Sequence, residues 1–370
     1  MINSPQAPYP LRLLDPWRTS GSGPRRVLVI TDEPDRWCSG AASIGVEWGR
    51  DGRGVVLRGE LEALLALARL LEGSAGSREL AAASSVLSRP PRSLELRGHR
   101  WRLGMKTRLL GVINTTPDSF SGDGVGASAD RALDRAAAMV REGVDAIDVG
   151  GESSRPGHSP VRADEEMERA VPAISRIAAA LPVPVFVDTW KAPVAEEALR
   201  AGASGVNDIW GLRRDPEMAG VVARHGAAVV LMHNQQGAEY RDVLGEVLGG
   251  LAESLRLAHL AAIPKASVIL DPGIGFGKTP AQSLEVLAHL EQLTVFGRPL
   301  LVGTSRKSVI GWLLKNRPVS ERLLGTAASV AWASWMGAEI VRVHDVAEMR
   351  DILLVADRLR AEAERPPRSR

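Results

Sequence analysis

Cysteine is almost absent from the 370 residues: Cys38 stands alone. One thiol excludes an internal disulfide framework and any cysteine-built metal cluster, and it suits a reducing compartment, so the cytoplasm is the expected location. Net charge is nearly absent too. Lys and Arg number 46 against 44 Asp and Glu, a formal charge of +2, which gives no long-range field to recruit nucleic acid or an anionic membrane surface. Apolar residues supply 45% of the chain, yet no uninterrupted run approaches the roughly 18 residues that a membrane helix needs. The first 30 residues lack a basic stretch followed by an apolar one, so no export signal is expected. The length allows a sizeable core, as one large domain with an appendage or as two domains.

From residue 109 onward, short apolar runs alternate with segments of helical period. The runs are 109–114, 146–150, 183–189, 205–209, 227–233, 267–273, 299–305 and 340–345. They are continuous and rich in Val, Ile and Leu, as strands of a parallel sheet covered on both faces should be. Thr279-Pro280-Ala281-Gln282 reads as a capping box with proline at the first helical position. Eight strand–helix pairs over about 250 residues predict a (β/α)8 barrel spanning 93–370. Upstream, 93–103 reads as a β-hairpin turning at Arg97-Gly98 and suited to plug the N-terminal face of the barrel. Residues 1–92 read as a small accessory segment without chemistry, with a strand at 25–31, an amphipathic helix at 57–73 and linkers at 18–24 and 88–92.

Nearly every apolar run ends in polar residues: Asn114, Asp148, Asp188, Asn207, Asp208, His233, Asp271, Ser305, Arg342 and His344. In a barrel those ends converge on one mouth, where active sites are built. GIGFGKT (273–279) imitates a Walker loop, but Pro272 occupies the required first glycine and Lys278 the third glycine of a dinucleotide fingerprint. A loop that lets backbone approach something flat remains. In DVGGESSRPG (148–157), Arg155 among hydroxyls suits a phosphate or carboxylate. GTSRKSVIG (303–311) groups Ser305, Arg306, Lys307 and Ser308, and RVHD (342–345) adds Arg342 and His344 on one side of its strand. Together they predict a site for a di- or triphosphate-sized anion. Asp188, Asn207 and Asp271 need partners in turn, and a guanidine-like heterocycle edge between Met232 and Phe276 would supply N–H donors.

INTTPDSFS, DVGGESSRPG, VDTWK, GVNDI, LMHNQ, LDPGIGFGK, GTSRKS and RVHDV resemble, in order, the blocks of the dihydropteroate synthase family. The resemblance covers about 93–362. It implies a cytoplasmic transferase, homodimeric through late helices, that condenses 6-hydroxymethyl-7,8-dihydropterin diphosphate with 4-aminobenzoate to give 7,8-dihydropteroate and diphosphate. By position it implies that Asp188, Asn207, Met232, Asp271, Gly275, Phe276 and Lys307 bind the pterin. It gives Asn114, Ser154, Arg155, Arg342 and His344 to the diphosphate, and Ser154, Arg155, Pro156 and Ser308 to the aminobenzoate. Arg155, Lys307, Arg342 and His344 become the catalytic group, and Asn114 a ligand of Mg2+, with Asp123 as a second candidate. The chain departs from the family's pattern at Ser154, Trp190, Asn234 and the Gly122-Asp123 pair. Two other readings are a pterin-dependent methyltransferase acting on a corrinoid protein and a non-catalytic pterin-binding paralogue.

Overall fold

The computed structural model describes residues 11–13, 25–31, 33–44, 46–51, 54–59, 61–74, 76–81, 93–116, 128–153 and 160–363. Asp123, Ser154, Arg155, Pro156 and both expected linkers lie outside them. The barrel strands are β7 (Arg108–Asn114), β8 (Ala146–Gly150), β9 (Val185–Asp188), β10 (Gly205–Asp208), β11 (Ala228–Met232), β12 (Val268–Asp271), β13 (Leu301–Val302) and β14 (Ile340–Val343). All pair in parallel in the order β12-β11-β10-β9-β8-β7-β14-β13, and a bridge between Leu270 and Leu300 joins the two ends. Every strand expected from 109 onward is present, and the fold is a (β/α)8 barrel.

The continuous apolar runs have a two-sided cause. Ile147, Val149, Val187, Val206, Leu231 and Leu270 pack outward in the helix-facing core, while Ala146, Phe186, Val230, Ile269 and Ile340 fill a separate interior cluster. Successive strand side chains point to opposite faces, so both layers must be apolar. The covering helices are α3 (Ala129–Glu142), α4 (Ala163–Ala180), α5 (Ala192–Arg200), α6 (Met218–His225), α7 (Val243–Leu260), α8 (Pro280–Ala288), α9 (Ser308–Leu313), α10 (Leu323–Trp335) and α11 (Val346–Ala363). Thr279 and Gln282 close the expected capping box at the start of α8.

The hairpin forms from β5 (Ser93–Leu96) and β6 (His99–Arg102). Its Leu94, Leu96 and Trp101 join Phe186, Ile269 and Ile340 in the interior cluster, so it closes the barrel from the N-terminal side. Position 205 suits glycine because it lies against Phe186, where a Cβ would come within 2.4 Å of the ring.

Further upstream, β1 (Leu11–Leu13), β2 (Arg25–Ile30), β3 (Glu47–Asp51) and β4 (Gly54–Gly59) make an antiparallel sheet ordered β1-β2-β4-β3. Helices α1 (Pro34–Ser43) and α2 (Leu61–Leu70) cover it with Trp37, Cys38, Leu64 and Leu67. The helix expected at 57–73 therefore starts later, because Leu57 is buried opposite Val27 as part of β4. No helix among the described residues is long and apolar enough to cross a membrane.

Candidate active site

Parallel register aligns the strand ends. Asn114 stands opposite Gly150, Gly150 opposite Asp188, and Asp188 opposite Asn207, a row across four neighbouring strands. Met232 faces Asp271 on the next pair. Stepping by two along each strand turns the apolar interior into this polar rim: Ala146 gives way to Asp148, Phe186 to Asp188, Ile269 to Asp271 and Ile340 to Arg342.

Arg342 sits at the centre of that rim. Its Nε donates to Asp148 Oδ2 at 2.6 Å and its terminal nitrogen to Asp188 Oδ2 at 2.6 Å. Asn207 donates its amide to the same Asp148 oxygen at 3.0 Å, while Asp148 Oδ1, also buried, has no partner among the described residues. Burial raises the Asp188 carboxyl, to about 7; Arg342 pulls it down and Asp148 pushes it further up. For Arg342 burial acts downward, and the two carboxylates more than offset it, so the guanidinium stays charged.

The loop after β12 is threaded by two lysines. Gly273, Gly275 and Gly277 all hold positive φ, at 70°, 80° and 54°, a conformation that strains any residue with a Cβ. Asp271 Oδ1 accepts from the Gly273 N–H at 2.7 Å. Lys307 donates to the Ile274 carbonyl at 2.7 Å and lies 4.5 Å from the centre of the Phe276 ring. Burial lowers the Lys307 ammonium to about 8, against the attraction of Asp271 and Asp188. Lys278 lies inside the loop, donating to the carbonyls of Gly273 and Phe276 at 3.1 Å each and meeting His233 Nδ1 at 3.0 Å. Burial brings Lys278 down to about 7 and keeps the His233 ring neutral.

On the other side of the mouth, Ser305 Oγ and His344 Nδ1 are 2.9 Å apart. Arg306, grouped with Lys307 in the sequence, is committed to Asp345, with Nε 3.0 Å from Oδ2. Arg342 thus pairs directly with the rim acids, while Lys307 feels the charge of Asp271 and Asp188 without a hydrogen bond to either among the described contacts. Ser308 is exposed at the first position of α9.

Three partners leave little trace in the sequence. Asp148 was recognised as a strand end but not as the second acid on Arg342; the two-residue step from Ala146 carried that signal. Lys278 reads in the sequence only as part of an imitation nucleotide loop. Lys191 was passed over, although it bonds Glu152, Glu166 and the Val161 carbonyl and ties β8 to the start of α4. At the rim Trp190 stacks on Arg214, whose guanidinium carbon lies 4.1 Å from that ring and 4.7 Å from Trp210, which gives the unusual tryptophan a packing role.

Comparison with known proteins matches residues 110–344 to the family described as pterin binding enzyme. The dihydropteroate synthase of Bacillus subtilis is 47% identical over 252 residues, covering 68% of this chain and 88% of the relative. That of Clostridium beijerinckii is 43% identical over 268 residues, covering 70% and 99%. Among solved structures, a Clostridium difficile dihydropteroate synthase in the presence of pteroic acid aligns with a TM-score of 0.67 at 44% identity, covering 70% of this chain and 98% of that one. A Xanthomonas albilineans dihydropteroate synthase with 4-aminobenzoic acid aligns with a TM-score of 0.69 at 39% identity, covering 73% and 98%. The acid-lined barrel mouth and these likenesses agree, and the chain belongs to the dihydropteroate synthase family of pterin binding enzymes.

Proposed function

We infer that the chain condenses 6-hydroxymethyl-7,8-dihydropterin diphosphate with 4-aminobenzoate, giving 7,8-dihydropteroate and diphosphate in folate biosynthesis. The observation that carries this reading is the meeting of Asp188, Asn207 and Asp271 with Lys307 and Phe276 at one mouth. The acids and the Asn207 amide suit the N–H edge of a pterin, Phe276 and Met232 its faces, and Lys307 its carbonyl side. Arg342 and His344 suit the diphosphate, with Ser154 and Arg155; Ser308, with Ser154, Arg155 and Pro156, suits the aminobenzoate.

Chemically, the bond between the pterin methylene and the diphosphate oxygen breaks with its electron pair leaving on oxygen. The aromatic amine then forms the new C–N bond and loses a proton. Arg342 and His344 would stabilise charge growing on the leaving oxygens, while Asp188 and Asp271 tolerate positive character on the pterin side. No side-chain nucleophile is required, and holding amine and methylene in line supplies much of the rate.

Among the described residues no group of three or more His, Cys, Asp or Glu could hold a metal ion. Mg2+ commonly keeps its waters and takes few protein oxygens beside substrate phosphates. One amide oxygen from Asn114, with Asp123 as a second candidate, fits such an ion entering with the diphosphate. Bound there, it would offset the charge of the leaving group. A second copy of the chain is the proposed partner: Leu324 and Trp332 on α10 and Leu354 and Leu359 on α11 are exposed apolar side chains on adjacent helices. The single thiol suits a cytoplasmic setting.

The test is diphosphate release by the purified protein. It should require both substrates and yield dihydropteroate, and restore growth to a folate auxotroph lacking the synthase. Methyl transfer to a corrinoid without an arylamine requirement would favour the methyltransferase reading, and pterin binding without turnover the paralogue.

A further inference from the structure

The loop that carries Gly275 and Phe276 closes one backbone hydrogen bond of its own, from the Phe276 N–H to the Gly273 carbonyl at 3.1 Å. Three of its residues are glycines at positive φ. A Cβ on Gly273 would lie 1.9 Å from the His233 carbonyl oxygen, and one on Gly277 2.5 Å from that of Gln235, so the loop is pressed against the chain leaving β11. At the centre of that contact lies one buried ammonium. Lys278 Nζ reaches the Gly273 carbonyl and the Phe276 carbonyl at 3.1 Å, His233 Nδ1 at 3.0 Å and the His233 carbonyl at 3.5 Å. Lys278 is 9% exposed and His233 2%. An ammonium has three donors, and here each finds an acceptor on the loop or on the residue beside it.

We propose that Lys278 is a positioning residue for the pterin subsite, a buried donor around which the Gly273–Phe276 loop is wound. The inference rests on the functional reading above, and it works through two other residues. By holding the Gly273 carbonyl, Lys278 fixes the residue whose N–H clamps Asp271 Oδ1 at 2.7 Å. By holding the Phe276 carbonyl, it sets the ring against which Lys307 lies at 4.5 Å. Lys307 grips the same loop from the other side through the Ile274 carbonyl. One lysine is therefore a scaffold inside the loop and the other faces the mouth. His233 serves as a neutral acceptor at Nδ1, which assigns its proton to Nε2.

Lys278→Met removes the donors and keeps the apolar stem. Wild-type turnover with both substrates is measured first, since its absence would refute the functional reading and leave the scaffold to be judged by binding alone. Calorimetry with a 6-hydroxymethylpterin lacking the diphosphate reads the subsite without chemistry. In Lys278→Met the pterin Kd and the KM for pterin diphosphate should rise about 10- to 100-fold, as expected for loss of positioning, while the KM for aminobenzoate stays near its wild-type value. Ethylammonium added to Lys278→Ala should restore pterin binding, and ethanol should not. If Lys278→Met does not fold, His233→Leu, which deletes one acceptor, should show the same pterin-selective rise to a smaller extent. Unchanged pterin binding in a folded variant, or an equal rise for both substrates, would overturn the inference.

Discussion

The Arg342 guanidinium bridges Asp148 and Asp188, giving one N–H to each carboxylate at 2.6 Å. Lysine is a point charge and cannot reproduce that fork. In Arg342→Lys one buried carboxylate should lose its partner, at a cost of about 1–3 kcal/mol in urea unfolding. Turnover should fall by about 100-fold or more, since the charge proposed to answer the leaving group is displaced. Unchanged diphosphate release would remove Arg342 from the chemistry.

Lys307→Ala and Asp188→Ala should each lose pterin binding by calorimetry while circular dichroism shows an intact barrel. Because burial brings Lys307 down to about 8, its ammonium is lost as pH rises through that value, and pterin affinity in the wild type should weaken there. An affinity flat from pH 7 to 9 would show that Lys307 contributes no charge to the ligand.

Glu339 offers a stability test away from the mouth. Burial raises its carboxyl to about 7 from an ordinary 4.5, while the Leu300 N–H bound to Oε2 pulls the other way. Between those values the folded chain holds a proton that the unfolded chain has released, so stability falls as pH rises through the window. Glu339→Gln should flatten that slope in melting temperatures taken from pH 5 to 8. A variant that keeps the wild-type slope would assign it to another group.

Gly273→Ala combines a positive φ of 70° with a Cβ that would lie 1.9 Å from the His233 carbonyl. It should destabilise by more than about 1 kcal/mol, and because the same residue clamps Asp271, pterin affinity should fall with it. A stable variant with normal affinity would mean that the loop has a second arrangement.

Chelation should abolish turnover, and Asn114→Ala should raise the Mg2+ concentration needed for half-maximal rate by about tenfold or more, since loss of even an outer-shell partner weakens metal affinity about 10- to 100-fold. Binding of the pterin without diphosphate should be unaffected, because the ion is expected to enter with the phosphates. A metal titration unaltered by Asn114→Ala would free that residue from the assignment.

The barrel was legible because its signal is local: eight apolar runs, each ending in polar residues, need no knowledge of what packs where. Asp188, Asn207 and Asp271 were visible for the same reason. Their partners were not, since the meeting of Arg342 with Asp148 joins β14 to β8 across 194 positions of sequence. Lys278 was hidden differently: its glycine-rich setting imitates an anion loop, yet its ammonium is spent on the loop's own carbonyls. In the N-terminal sheet, Glu47–Asp51 reads EWGRD, a polar edge strand with no apolar alternation to reveal it. Leu57–Gly59 blends into the helical pattern that follows, and only its pairing with β2 separates strand from helix.

The hairpin of β5 and β6 seals the rim opposite the reacting mouth, and β1 rests against residues 290–296, just before β13 enters the barrel from that same rim. The chain ahead of Ser93 therefore joins the barrel at its closed end, with the hairpin and the interior cluster between it and the rim that carries Asp188, Asp271 and Arg342.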